Sequence, residues 1–237
     1  MAGHSKWANI QHRKGRQDEK RGAAFSKIAK EITVAAKMGG GDPGFNPRLR
    51  VAVDKAKSVN MPKDKIDTAI KKGTGELPGV VYDEVVYEGY APGGVAMIVQ
   101  VTTDNKNRAA GEVRSVFTKS GGSLAPVAWQ FEPKGIISVA LNGRDPDEVS
   151  LAAIDAGAED IKAEADLLQV YTQPNALHEV AEKLKAQNIS VKNAEMLLIP
   201  KNEVKIENEG DAKKVLDFIE ALEDDEDVTN VSSNFDI

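Results

Sequence analysis

At Tyr82 the apolar side chains change their spacing, and that switch limits the chain to a helical first part and a sheet-containing second part. Recurrence every three to four residues puts apolar groups on one helix face, whereas alternation puts them on one strand face. Phe25, Ile28, Ala29, Ile32 and Ala36 predict a helix over 23–38, stopped by Gly39-Gly40-Gly41. Asn46-Pro47, a cap followed by a first-turn proline, opens a second helix with Leu49, Ala52, Val53 and Ala56 inward. A third helix starts near Met61-Pro62, buries Ile66, Ala69 and Ile70, keeps Lys63, Lys65, Lys71 and Lys72 wet, and ends at Gly73 and Gly75. Three short amphipathic helices make a small bundle.

Beyond Tyr82, VVYEGY and VAMIVQVTT read as strands about the turn Ala91-Pro92-Gly93-Gly94. A helix with the stripe Ala109, Val113, Val116 and Phe117 follows, closed by Gly121-Gly122, and then a strand VAWQFE. GIISVA, a helix from Asp145-Pro146 to Ala156, EDIKAEA, DLLQVYT, a helix over 174–187 and AEMLLIP run β-α-β-β-α-β. That order is the pattern of a split βαβ, ferredoxin-like sandwich. The last helix, Asp211 to Leu222, and the strand VTNVSSNF cannot fold alone, and the β-β-α-β unit lacks a second covering helix. The two are therefore expected to pack together. The expected class is α+β, with a three-helix bundle ahead of two α/β sandwich domains, at least one of them ferredoxin-like. Its parts are a basic arm (1–22), a helical domain (23–78), a discontinuous α/β domain (79–133 with 203–237) and an inserted ferredoxin-like domain (134–202).

The net charge of −6 conceals an asymmetry. Residues 1–75 hold 17 Lys and Arg against 7 Asp and Glu, a net of +10, and the remainder hold 14 against 30, a net of −16. A basic end on an acidic body points to nucleic acid, because Lys and Arg neutralise phosphates and release counterions. A membrane surface is not expected, since the basic region lacks a bulky apolar face. No apolar run is long enough to span a bilayer and the N-terminus has no signal-peptide core, so the cytoplasm is the expected location.

The arm residues Lys6, Arg13, Lys14, Arg16, Lys20 and Arg21 are the main candidate contacts. Trp7 among them either stacks on a base or anchors the arm on the bundle. His4 and His12 are solvated or touch phosphate when protonated. Arg48, Lys63 and Lys65 extend the basic surface, and the short link Ser58-Val59-Asn60 is compatible with a helix-turn-helix. Lys106, Arg108 and Arg114 project from the strand-to-helix segment Asp104–Arg108 and the helix after it, a rival platform or a well-capped turn with solvated charges. The acidic run Glu223 to Asp227 reads as a solvated linker in preference to a cation site or a mimic of nucleic acid.

Enzymatic chemistry is not expected. The chain has no cysteine, three histidines of which His178 is remote from the other two, and no GxxxxGK[ST] phosphate loop. No cofactor, catalytic residue or metal site is expected, and nothing implies an oligomer.

AGHSKWANIQHRK, NPRLRVAVDKAKSVNMPKDKIDTAIKKGTGE, YEGYAPGGVAMIVQVTTDNKNRAAGEVRSVFTKSGG and VAWQFEPKG together resemble the YebC/PmpR family. Its eukaryotic relative is the mitochondrial translational activator of cytochrome c oxidase subunit I. The likeness runs across the whole chain. It implies a helical N-terminal domain, two α/β domains and a non-enzymatic role. Members are named as transcriptional regulators that bind DNA, and others act in translation, helping the ribosome through proline-rich stretches. The expected partner is accordingly DNA or ribosomal RNA, with the ribosome as partner on the second reading. An interaction scaffold whose acidic domains recruit a protein is the alternative from a different class.

Overall fold

The computed structural model describes residues 17–164 and 166–236. Three helices, α1 (Gln17–Gly39), α2 (Pro47–Ser58) and α3 (Lys63–Thr74), precede strands β1 (Asp83–Ala91) and β2 (Val95–Thr103), helix α4 (Lys106–Lys119) and the short strand β3 (Ser123–Leu124). Next come β4 (Phe131–Ala140), α5 (Pro146–Ala156), β5 (Asp160–Glu164), β6 (Leu167–Thr172), α6 (Leu177–Ala186) and β7 (Ser190–Pro200). The chain ends with β8 (Val204–Lys205), α7 (Glu209–Glu223), β9 (Val228–Ser233) and β10 (Phe235–Asp236). The class is α+β, with helices ahead of sheet domains. Two compact units divide the chain: one holds the residues through Ala52, Met61–Glu132 and Ile199–Ile237, the other Val53–Asn60 and Pro133–Leu198.

In the first unit α1 buries Ile28, Ile32, Val34, Ala35 and Ala36. It begins at Gln17, six residues before the expected start, so Lys20 and Arg21 are helical. Gln, Asp, Glu, Lys and Arg extend a helix at little cost once an apolar turn has nucleated it. Asn46 caps α2 by accepting from Leu49 N at 3.1 Å, while its Nδ2 donates to Ala35 O and Gly40 O at 2.8 Å each. One buried amide thus joins the end of α1 to the start of α2.

Helix α3 packs on α1 through Thr33, whose hydroxyl donates to Ala69 O at 3.2 Å. Gly73 does not end α3, contrary to expectation. It lies inside the helix, where a Cβ would stand 2.4 Å from Thr33 O and 2.7 Å from the Ala36 Cβ. Close approach of the two backbones, not helix termination, requires this glycine. Gly75, with φ 83°, forms the C-terminal cap.

The larger sheet of this unit has the order β3-β1-β2-β9, and β8 pairs with β10 in a second, two-stranded one. β1 and β2 form an antiparallel hairpin with Glu88 opposite Ile98, and β9 lies antiparallel on the other side of β2 with Ser233 opposite Met97. Val95, Met97, Val99 and Val101 meet Val113 and Phe117 of α4 and Val215, Phe218 and Leu222 of α7 in one core. The Phe117 and Phe218 rings sit edge to face, 5.0 Å apart.

Of VAWQFE only Phe131 and Glu132 are strand, as the start of β4. Ala128–Gln130 is a 3₁₀ turn, and the outer strand of this sheet is the two-residue β3. The Glu88 carboxylate accepts from Val127 N and Ala128 N, both at 2.7 Å, and bends the chain there. Phe131 then opens β4, which continues without a break through GIISVA.

The second unit contains a sheet in the order β5-β6-β4-β7, with β6 antiparallel to both β4 and β5. With α5 and α6 in the two crossovers, this is the ferredoxin-like arrangement. Asp145 caps α5 ahead of Pro146, and Gly157 ends it in the left-handed region.

Candidate nucleic-acid interface

The basic residues separate into those that hold the protein together and those that face water. Lys27 and Lys30 of α1 belong to the first group. Lys27 Nζ donates to Glu223 O at 2.6 Å, and Lys30 Nζ to Glu226 O at 2.9 Å and Asp227 Oδ1 at 2.6 Å. Glu223 is the last residue of α7, so Lys27 meets a carbonyl left open at the negative end of a helix. Burial lowers the Lys27 ammonium from its ordinary value, against the pull of Glu223 and Asp225.

Asp227 is the hub of this cluster and is 4% exposed. Its second oxygen accepts from Arg108 and from the Thr103 hydroxyl, each at 2.7 Å. Burial alone would raise the carboxyl, but hydrogen bonds from Lys30, Arg108 and Thr103 outweigh it and hold it down to about 2. The bond to Asp227, with that to Asp104 at 2.7 Å, raises the Arg108 guanidinium. Glu112 stands nearby, and the carboxylates of Glu112, Asp225 and Asp227 come within 4.8 Å of one another. Burial and the charge of Asp225 raise the Glu112 carboxyl. The run expected to be a solvated linker therefore ends in a buried ion-pair centre.

This arrangement redistributes the candidate contacts. Arg108 is committed to Asp227 and Asp104, and Lys106 faces Asp83 at 3.3 Å on the surface. Arg114 is exposed and makes no ion pair among the described residues. Arg48 pairs with Glu84 of β1 and lies 3.0 Å from the Met38 sulfur. Lys63 is exposed at the start of α3, and the Lys65 ammonium sits 5.5 Å from the centre of the Phe25 ring. Lys20 and Arg21 lie in the first turns of α1. Lys6, Trp7, Arg13, Lys14 and Arg16 lie outside the described residues.

Lys37, Lys71 and Lys72 were not among the expected contacts. All three are exposed, and none makes an ion pair among the described residues. Lys37 and Lys72 line a cleft of about 330 Å³ with Thr33, Val34, Val80 and Tyr82. Lys71 and Lys72 were legible as wet positions of an amphipathic helix. Convergence of Lys37 with Lys72 needed the packing of α1 against α3. Among the described residues no helix is long and apolar enough to cross a membrane.

Comparison with known proteins fits this architecture. Residues 5–76 match the model of the TACO1/YebC protein N-terminal domain, and residues 82–235 that of the TACO1/YebC second and third domain. A relative from Halothermothrix orenii, named "Probable transcriptional regulatory protein", is 52% identical over 242 residues, covering 100% of this chain and 96% of the relative. One of the same name from Thermotoga maritima is 53% identical over 241 residues, covering 100% of this chain and 94% of the relative. The crystal structure of a conserved hypothetical protein from Aquifex aeolicus superposes with a TM-score of 0.90 at 46% identity, covering 98% of this chain and 97% of that one. Matched along nearly its whole length in sequence and fold, the chain belongs to the TACO1/YebC family.

Proposed function

We propose that this chain is a non-enzymatic, cytoplasmic regulator of gene expression that binds nucleic acid through its helical N-terminal part. The observation that carries this is the set Lys37, Lys63, Lys71 and Lys72: exposed lysines on two packed helices, without ion-pair partners among the described residues. They sit in a stretch of net charge +10, on a protein whose remainder is acidic. Such cations gain most by neutralising phosphates. The name shared by the relatives favours DNA and a transcriptional role.

One observation favours the second reading, RNA bound at the ribosome. In a helix-turn-helix the first half of the recognition helix approaches base edges. Here the first half of α3 exposes Asp64 and Asp67. Two carboxylates oppose entry into a phosphate-walled groove, so α3 suits backbone binding through Lys71 and Lys72, which positions without reading sequence. Crosslinking in cells followed by sequencing of the bound nucleic acid tests both readings. Promoter DNA supports the first and ribosomal RNA the second. Recovery of neither overturns nucleic-acid binding and leaves the scaffold.

A further inference from the structure

The loop joining α1 to α2 holds one aromatic ring in water on a braced backbone. Phe45 is 88% exposed and Met38, at the end of α1, is 69% exposed. The backbone around Phe45 is tied at every step. Gly44 N donates to Asp42 Oδ1 at 2.7 Å, and Phe45 N and Asn46 N donate to Asp42 O at 3.1 and 2.9 Å. Arg50 binds Pro43 O through Nε at 2.8 Å and Gly44 O through a terminal nitrogen at 2.6 Å. On the far side, buried Asn46 locks Gly40 O and Ala35 O. A phenyl ring left in water forgoes the favourable burial that draws Phe into cores. A lone exposed apolar side chain on a loose loop would need no explanation. Here an Asx turn, a bidentate arginine and a buried asparagine all serve to keep one ring presented.

What the ring suits is set by its surroundings. Lys37 is exposed beside Met38, Arg48 extends alongside the Met38 sulfur, and the whole helical stretch is strongly basic. A protein pocket lined with acidic groups would also fit a basic rim. A nucleic-acid base with its phosphate uses both features at once, the π face against the ring and the charge against the cations. In a closed duplex the base faces are covered by their neighbours, so the accessible target is an unpaired base.

We propose that the 40–46 loop is a stacking finger, in which Phe45 lies against an unpaired base of a single-stranded or looped nucleic acid. Arg50 and Asn46 are positioning residues that hold the finger, and neither touches the base. The inference rests on nucleic-acid binding as proposed above and specifies what that surface takes.

The test compares full-length wild type, Phe45→Ala, Phe45→Trp and Lys71→Ala/Lys72→Ala. Probes are a mixed-sequence single-stranded RNA oligonucleotide and a blunt duplex of the same sequence, titrated over a range of salt. Phe45→Ala should weaken single-strand binding roughly ten-fold, leave duplex binding unchanged and keep the salt slope, because it removes a stacking surface and leaves every phosphate-neutralising cation in place. Phe45→Trp should restore affinity, and its added fluorescence should be quenched by the single strand but not by the duplex. The lysine double variant should weaken both probes and flatten the slope. Unchanged single-strand affinity in Phe45→Ala, with wild type binding, overturns the finger alone and directs the tip to a protein partner. Absence of binding by wild type to either probe overturns the finger together with the nucleic-acid reading beneath it.

Discussion

The guanidinium of Arg108 lies 2.7 Å from the buried carboxylate of Asp227, 119 residues further along the chain. The same carboxylate holds Lys30, so one side chain ties α1, α4 and the return into β9. Arg108, which the sequence offers as a nucleic-acid contact, here completes an internal pair. Asp227→Ala should destabilise the protein by about 3 kcal/mol in urea denaturation, at the lower end for a broken buried pair because Arg108 still reaches water. Arg108→Ala should also lower stability and leave the salt dependence of nucleic-acid binding unchanged. A flattened slope in Arg108→Ala would return that arginine to the binding surface.

Acid should expose the same centre. The folded carboxyl of Asp227 sits at about 2, below the ordinary value of 3.8 that it regains on unfolding. A depressed carboxyl stabilises the fold above its unfolded value, and that stability is lost as pH falls through the folded one. This group should contribute nothing to pH dependence between about pH 7 and 5, and about 2 kcal/mol of loss between roughly pH 4 and 2. Urea midpoints measured down the acid limb check this, and Asp227→Asn should flatten it.

Two helical glycines should respond in opposite directions. At Gly73 a methyl would strike Thr33 O and the Ala36 methyl, so Gly73→Ala should cost roughly 1–3 kcal/mol despite the better helix propensity of alanine. At Gly111, exposed in the middle of α4, a Cβ meets nothing within 4 Å. Gly111→Ala should add about 0.5–1 kcal/mol, as propensity alone predicts. Thermal melts of both variants make the comparison, and a loss at Gly111 would contradict the open surface there.

The salt dependence of binding apportions the surface. Replacing Arg13, Lys14 and Arg16 with alanine should flatten the log–log slope on duplex DNA by about 0.9 for each phosphate no longer neutralised. Arg114→Ala should flatten it by about the same amount only if α4 also touches phosphate. A slope unchanged by the triple substitution, with α3 lysine variants still effective, would confine the interface to the described helices.

Much of the architecture was written in local pattern. The spacing of Ile28, Ile32 and Ala36, the caps Asn46 and Asp145, and the succession of strands and helices along the ferredoxin-like unit each depend on residues close in the chain, where propensity and capping act. The net charge of the first 75 residues was equally plain. Tertiary structure decided what becomes of individual charged and special residues. Asp227 reads as one carboxylate in a wet run until Lys30, 197 residues away, and Arg108 reach it. Gly73 reads as a stop until the α1 backbone lies against it, and VAWQFE reads as a strand until Glu88 captures its amides. Sequence spacing determines which face of an element is apolar. Whether a polar group on the other face meets water or a distant partner depends on what the packed chain brings within about 3 Å of it, the reach of a hydrogen bond.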